Sequence, residues 1–245
     1  MEFQPFLDHL AQTARTRDDV VGLAAFGSTA DRARVDAWSD HDFAWITAPG
    51  AEERYRRSRH WLPWPERIVM HVVEHHGGVK VIYDDGHLAE FGVADLAGLA
   101  TWEMNRAVAL VDRGGLAEVL ERRGSAARRP VDPDDELALA CSAILVGVGR
   151  GRRGEVVSAG SSIRGAAVEH LLRAWGARLP DRYPPLDGLD PHRRVEQVHG
   201  ALATEVAEAI ARPVEDAGRA LLGLVERTGG DPRLVAVVRD RLGWE

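Results

Sequence analysis

The sequence predicts an α+β protein in which a small mixed β-sheet with flanking helices is followed by an all-helical bundle. Short apolar and β-branched runs alternate with helix-like segments in the first part of the chain. The second part keeps a helical spacing of apolar residues almost throughout. A polar segment with glycine and proline, residues 122–133, separates the two patterns. We therefore predict a first domain at residues 1–125 and a helical second domain at residues 126–245.

The first domain is predicted to begin with an amphipathic helix, because apolar residues recur at helical spacing over residues 6–14. Short apolar runs and breaker residues then predict five strands and one helix. In chain order these are a strand at 20–26, a strand at 42–47, a helix at 52–61, and strands at 67–74, 79–83 and 87–93. The Gly27-Ser28 turn after the first strand predicts a close backbone approach and a helix N-terminus suited to phosphate.

The second domain is predicted to open with a helix, because three acidic residues follow Pro133 and favour a helix start. Further helices are predicted at 155–179, 193–211, 214–227 and 233–242, with a loop around residues 184–188. Residues 149–154 match the G-x-G-x-x-G pattern, but they follow a run of helical period and are rich in arginine. We predict a flexible loop between helices there, which could offer Arg152 or Arg153 to a phosphate.

Composition excludes several classes of function. The net charge of −7 argues against a nucleic-acid partner. Cys141 is the single cysteine and lies on an apolar helical face, which predicts a core residue, no intrachain disulfide and a cytoplasmic location. The first residues lack the pattern of a signal peptide, and the longest apolar stretch is too short to span a bilayer, so no membrane association is expected.

The most informative motif is a pair of aspartates, Asp40 and Asp42, in the run Ser39-Asp40-His41-Asp42-Phe43. In a β-strand the two carboxylates would project from one face, while His41 and Phe43 point to the other. Glu90 is a third acid in a strand-like run, where a glutamate is disfavoured unless it faces solvent or a ligand. Carboxylates fixed side by side are suited to a hard divalent cation. Together with the turn after residue 26, they indicate nucleotidyl transfer.

These motifs resemble those of the polymerase-β-like nucleotidyltransferases. The signature is Phe26-Gly27-Ser28 followed by Ser39-Asp40-His41-Asp42, and the run from Val81 to Phe91 resembles the strand that bears the third carboxylate of that superfamily. Arg153-Gly154-Glu155 resembles an element of lincosamide nucleotidyltransferases that have a C-terminal helical domain. The resemblance covers most of the chain in order. His41 departs from the apolar residue usual between the two aspartates, which is tolerable if its side chain points away from the metal.

The resemblance implies a nucleotidyltransferase fold and a role for each of these residues. Asp40, Asp42 and Glu90 would hold two Mg²⁺ ions, and Gly27 and Ser28 would bind the phosphates of ATP or another nucleoside triphosphate. Either Glu90 or Glu155 would accept the proton of the attacking hydroxyl. The implied reaction moves a nucleoside monophosphate, expected to be AMP, to a hydroxyl of a small molecule. The acceptor would be an antibiotic such as a lincosamide or an aminoglycoside.

The position of Lys80 depends on the register of the hairpin that contains Asp84-Asp85-Gly86. A three-residue loop pairs Lys80 with Glu90 on one face, whereas a two-residue loop turns Lys80 to the opposite face. A solvated lysine is the default expectation.

Two other functions remain open from the sequence. One is a zinc hydrolase that uses His71, Glu74 and His75, which match the H-x-x-E-H string; that string needs a helix, whereas the surrounding β-branched run favours a strand. The other is a non-catalytic nucleotide-binding protein of the same fold, which the presence of all three acids disfavours. Whether the chain forms a homodimer is also left open.

Overall fold

The computed structural model describes residues 2–124, 130–178 and 189–244, and the chain divides into two compact units, Met1–Ala127 and Arg128–Glu245. The first unit combines a mixed β-sheet with helices, and the second contains only helices among its described residues. The predicted α+β fold class is therefore confirmed. The loop predicted around residues 184–188 lies outside the described residues.

Among its described residues, the first unit contains six strands and several helices, with two short 3₁₀ turns at Arg32–Arg34 and Pro65–Arg67. In chain order the elements are α1 (Phe3–Thr16), β1 (Val20–Phe26), β2 (His41–Thr47), α2 (Glu52–Arg57), β3 (Ile68–Val73), β4 (Val79–Tyr83), β5 (Leu88–Ala94), α3 (Leu96–Leu99), β6 (Ala107–Asp112) and α4 (Leu116–Gly124).

The six strands form one sheet in the order β3-β4-β5-β2-β1-β6, in which β2 and β5 are parallel and every other neighbouring pair is antiparallel. Side chains alternate between two covered faces. Phe43 and Trp45 of β2 pack in the cluster that includes α1, whereas Ala44 and Ile46 pack with α3 and α4. Strand β2 is thus covered on both faces.

Two predicted features of the first unit are wrong and one element was not predicted. No α-helix begins at the Gly27-Ser28 turn, because only the three-residue 3₁₀ turn follows it, so there is no helix N-terminus for phosphate. Helix α2 ends at Arg57 and not near residue 61. Strand β6, which closes the edge beside β1, was not predicted.

The carboxylate of Asp112, the last residue of β6, binds backbone N–H groups at the start of the helix that follows, α4. It accepts hydrogen bonds from four successive backbone N–H groups, those of residues 114, 115, 116 and 117. These bonds, with that to residue 117 contributing most, lower the pKa of Asp112 to about 2. They also satisfy N–H groups that the first turn of α4 leaves without a helical partner.

Most helices of the second unit share one apolar core, in which the apolar face of α5 lies. The helices of this unit are α5 (Pro133–Arg152), α6 (Val156–Gly160), a π-helical segment (Ser161–Ala167), α7 (Val168–Arg178), α8 (Val195–Ile210), α9 (Val214–Arg227) and α10 (Pro232–Leu242). Cys141 is buried on α5 as predicted, and burial raises the pKa of its thiol to about 11.

The flexible loop predicted at residues 149–154 is largely wrong, because α5 continues as a helix to Arg152. Arg152 pairs with the carboxylate of Glu215 and donates to the carbonyl oxygen of Leu242, so it has a structural role. Across the described part of the chain, no helix has both the length and the apolar character needed to cross a membrane.

Candidate active site

The Gly27-Ser28 turn lies directly beside the carboxylate of Asp42. Gly27 has a φ of +52°, and a methyl group added to it would lie 2.9 Å from Asp42 Oδ2. Glycine therefore serves two needs here, since it tolerates the left-handed backbone and leaves room for the carboxylate. Ser28 is buried in the same turn.

Asp42 and Glu90 occupy directly paired positions on the parallel strands β2 and β5. Their neighbours His41 and Ala89, and Phe43 and Phe91, are also paired, and these lie on the opposite face of the sheet. The side chains of Asp42 and Glu90, which are distant in sequence, therefore project side by side from one face of the sheet. Asp40 immediately precedes β2, two residues from Asp42.

Thr29 is a residue of this site that the sequence analysis missed. Its buried hydroxyl accepts a hydrogen bond from the backbone N–H of Asp42 at 2.9 Å and lies 3.5 Å from the carbonyl oxygen of Asp40. The side chain thus ties the turn after β1 to the backbone that carries both aspartates. A threonine directly after Gly-Ser gives no signal strong enough to predict this contact.

His41 points away from Asp42 into the apolar cluster, as the strand alternation predicts, and it is fully buried. Its ring stacks on Phe3 and Phe6, with centroid distances of 3.9 and 4.2 Å. Nε2 lies 2.9 Å from the Phe3 carbonyl oxygen, which can only accept, so Nε2 carries the proton. Nδ1 then accepts from Nε2 of His87 at 2.6 Å, and burial lowers the pKa of His87. These bonds satisfy both nitrogen atoms of the buried ring.

Lys80 pairs with Glu90 across the β4–β5 hairpin, so the three-residue loop is the one that forms. The backbone confirms this register, since Tyr83 N–H donates to the His87 carbonyl at 2.9 Å. Lys80 Nζ lies 3.1 Å from Glu90 Oε1 and 3.9 Å from Glu74 Oε1. The hydrogen bond to Glu90, and then its charge, raise the pKa of Lys80. The Lys80 side chain stays 38% exposed, so the lysine is solvated as expected while it also pairs with Glu90.

Carboxylates are the kind of ligand that Mg²⁺ prefers, and Asp42 and Glu90 lie at paired positions on one face of the sheet. Among the described residues, however, no three His, Cys, Asp or Glu side chains lie close enough together to hold a metal ion. At this site the Glu90 carboxylate contacts Lys80. Coordination of Mg²⁺ by Asp40, Asp42 and Glu90 stays a prediction.

Glu155 belongs to the second unit, where it directly precedes α6. Its carboxylate accepts a hydrogen bond from Nε of Arg153 at 2.8 Å, and its side chain does not cap the helix. Its predicted role as the base stays a prediction.

The zinc-hydrolase alternative lacks the geometry that its motif needs. His71 lies on strand β3 and not on a helix, and Glu74 follows the end of that strand. Glu74 Oε2 lies 3.3 Å from Nε2 of His76, a residue outside the motif. The H-x-x-E-H string therefore does not present its histidines as a metalloprotease helix would.

Comparisons with known proteins assign no role to these residues. No protein-family model matches the chain, and no curated protein matches it. Among solved structures, the chain is similar to an aminoglycoside 6-adenyltransferase from Bacillus subtilis, with a TM-score of 0.31 and 10% sequence identity over 100% of this chain and 93% of that chain. A similarity at this level transfers neither a fold nor an activity.

Proposed function

We propose that this chain is a Mg²⁺-dependent nucleotidyltransferase that moves AMP from ATP to a hydroxyl of a small molecule. The observation that carries the proposal is the direct pairing of Asp42 and Glu90 on parallel strands, beside a glycine turn that leaves room for the Asp42 carboxylate. The resemblance to polymerase-β-like nucleotidyltransferases implies that these carboxylates hold the metal ions.

Each residue has a task in this reaction. Bound Mg²⁺ would neutralise the charge that develops on the phosphate oxygens as the α-phosphorus is attacked. Asp40 and Asp42 would hold the cation on the nucleotide side, and Thr29 fixes the backbone that carries them. Ser28 and the backbone at Gly27 would hold the departing pyrophosphate. Glu90 would hold the cation on the acceptor side, and either Glu90 or Glu155 would take the hydroxyl proton.

The acceptor class follows from the resemblance to lincosamide and aminoglycoside nucleotidyltransferases. We propose an antibiotic of one of these classes. The net charge of −7 favours a cationic acceptor, which an aminoglycoside would be.

The proposal is tested by incubating the full chain with Mg²⁺, ATP labelled on the α-phosphate, and a panel of lincosamides and aminoglycosides. Labelled acceptor should form with wild type, and Asp42→Asn should lower the rate by about 10²-fold or more, as for removal of one group that stabilises transition-state charge. Asp8→Asn is the matched control, because it removes a carboxylate on α1 that accepts a hydrogen bond from Gln4 at 2.6 Å. Near-wild-type turnover of Asp42→Asn at saturating Mg²⁺ would contradict the proposal.

The non-catalytic alternative is distinguished in the same assay. A protein that only binds nucleotide would retain labelled ATP in equilibrium dialysis without forming a labelled product or releasing pyrophosphate with any acceptor.

A further inference from the structure

Three charged residues lie in one row across three neighbouring strands. Lys80 on β4 pairs directly with Glu90 on β5, and Glu90 pairs directly with Asp42 on β2. Directly paired residues project from the same face of a sheet with their Cβ atoms about 4.5–5.5 Å apart. The order along the row is therefore one positive charge followed by two negative charges.

Like charges at directly paired positions destabilise a sheet, so the pairing of Asp42 with Glu90 has an electrostatic cost. Lys80 offsets this cost from the other side of Glu90, with Nζ 3.1 Å from Oε1. Glu74, at 3.9 Å from Nζ, adds a further carboxylate to the same ammonium. Lys80 is also the only lysine among the 31 lysine and arginine residues of the chain.

We propose that Lys80 is the internal counter-ion of Glu90 and that a divalent cation takes its place at the carboxylate. This inference rests on the proposed function, because it assumes that Glu90 ligates the cation. A cation that binds at Glu90 Oε1 takes the position of the Lys80 ammonium, so its binding breaks the ion pair. Lys80 thereby lowers the affinity of the site for free metal ions and keeps the carboxylate row folded without them.

The affinity for Mn²⁺ without nucleotide tests the exchange, measured by isothermal titration calorimetry on the full chain. Lys80→Met removes the competing charge and should tighten Mn²⁺ binding by about threefold to tenfold, the effect of one like charge removed from a partly solvated site. Lys80→Arg keeps the charge and should stay close to wild type. Binding by Lys80→Met that is equal to or weaker than wild type would overturn the inference.

Asp42→Asn in the same titration separates this inference from the proposed function. Unchanged Mn²⁺ binding by Asp42→Asn would overturn the metal site itself, and the counter-ion role with it. Loss of binding in Asp42→Asn together with unchanged affinity in Lys80→Met would overturn the counter-ion role alone.

The single lysine allows a direct observation of the exchange. Reductive methylation with ¹³C-formaldehyde labels the Lys80 amine and the N-terminal amine, and the Lys80 resonance is the one that is absent from Lys80→Arg. Addition of Mg²⁺ should shift this resonance at the concentrations that saturate binding. A Lys80 resonance that does not move at saturating Mg²⁺ would contradict the release of Lys80 from Glu90.

Discussion

Gly27→Ala is expected to reduce catalysis far more than it reduces stability. The left-handed backbone, with φ of +52°, costs an alanine about 1–2 kcal/mol. For a protein of this size, that cost lowers the melting temperature by about 2–8 °C. The added methyl group would also lie 2.9 Å from Asp42 Oδ2, and the carboxylate is the end of a side chain that can rotate away. The clash therefore adds little to the loss of stability, but it moves the proposed metal ligand.

A displacement of about 1 Å at a reacting centre can cost about 10²-fold in rate, so we expect a loss of that size in kcat for labelled AMP transfer. Gly86→Ala is the matched control in the same unit. Gly86 has a φ of +82°, but a methyl group added there meets nothing within 4 Å. Both variants should melt at similar temperatures, and only Gly27→Ala should lose transfer.

The comparison is made by thermal unfolding and steady-state kinetics of the two variants. If the kcat of Gly27→Ala lies within about threefold of that of Gly86→Ala, a difference below 1 kcal/mol, the space beside Gly27 is not needed for the reaction. The reasoning that places Asp42 in the metal site would then be refuted.

Three further predictions concern the carboxylates. Glu90→Gln should lower kcat for transfer much more than it weakens ATP binding, because Glu90 acts on the acceptor side. Equal losses in rate and in nucleotide affinity would instead place Glu90 in the nucleotide-binding site. Glu155→Gln should lower the transfer rate if Glu155 is the base, and a folded variant with unchanged kcat leaves Glu90 or the cation to deprotonate the hydroxyl. Asp112→Ala should destabilise the first unit by about 0.5–2 kcal/mol in urea unfolding at pH 7. The folded pKa of Asp112 is lowered to about 2, so its charge stabilises the folded state fully above about pH 4 and loses this effect as the pH falls towards 2. The difference in free energy of unfolding between wild type and variant should therefore shrink over this range. A difference that does not change with pH would refute the role of the charge.

Local sequence patterns predicted most elements because their apolar runs agree with the tertiary environment. Strand β1 and helix α9 have the predicted bounds, Val20–Phe26 and Val214–Arg227. Strand β6 was missed because Ala107–Asp112 is a short run with two alanines, and pairing with β1 stabilises it as a strand. Whether this segment forms a strand depends on pairing with a neighbour distant in sequence, which local propensity does not encode.

The error at residues 149–154 has a definite physical cause. Glycine lowers helix propensity by about 1 kcal/mol, so a glycine-rich segment predicts a loop. In the structure, Gly147 and Gly151 lie on α5 against the next helices, and a methyl group on Gly147 would lie 2.7 Å from the Ile163 side chain. These glycines permit close helix packing, and the packing outweighs their propensity.

The candidate site was predictable in its residue types but not in its geometry. The alternation of β2 predicted the opposite directions of His41 and Asp42, and the hairpin loop limited Lys80 to two registers. The pairing of Asp42 with Glu90 could not be read from the sequence, because a parallel register is set by the packing of the whole intervening segment. The contact between Thr29 and Asp42 has the same origin, since a turn and a strand start meet only in the folded sheet.

The parallel pairing of β2 with β5 also predicts an order in which the site assembles. Lys80 and Glu90 meet through a tight hairpin, and hairpins form in about 1–10 μs. Asp42 joins them only when the chain closes the larger segment from residue 48 to residue 87, which costs more entropy and is slower. Glu90 can therefore pair with Lys80 before Asp42 arrives. The positive charge of Lys80 then offsets the repulsion between the two carboxylates as they approach. A folding intermediate that contains only the β4–β5 hairpin would have the lysine–glutamate pair without Asp42, so the proposed metal binding is expected only once the native sheet has formed.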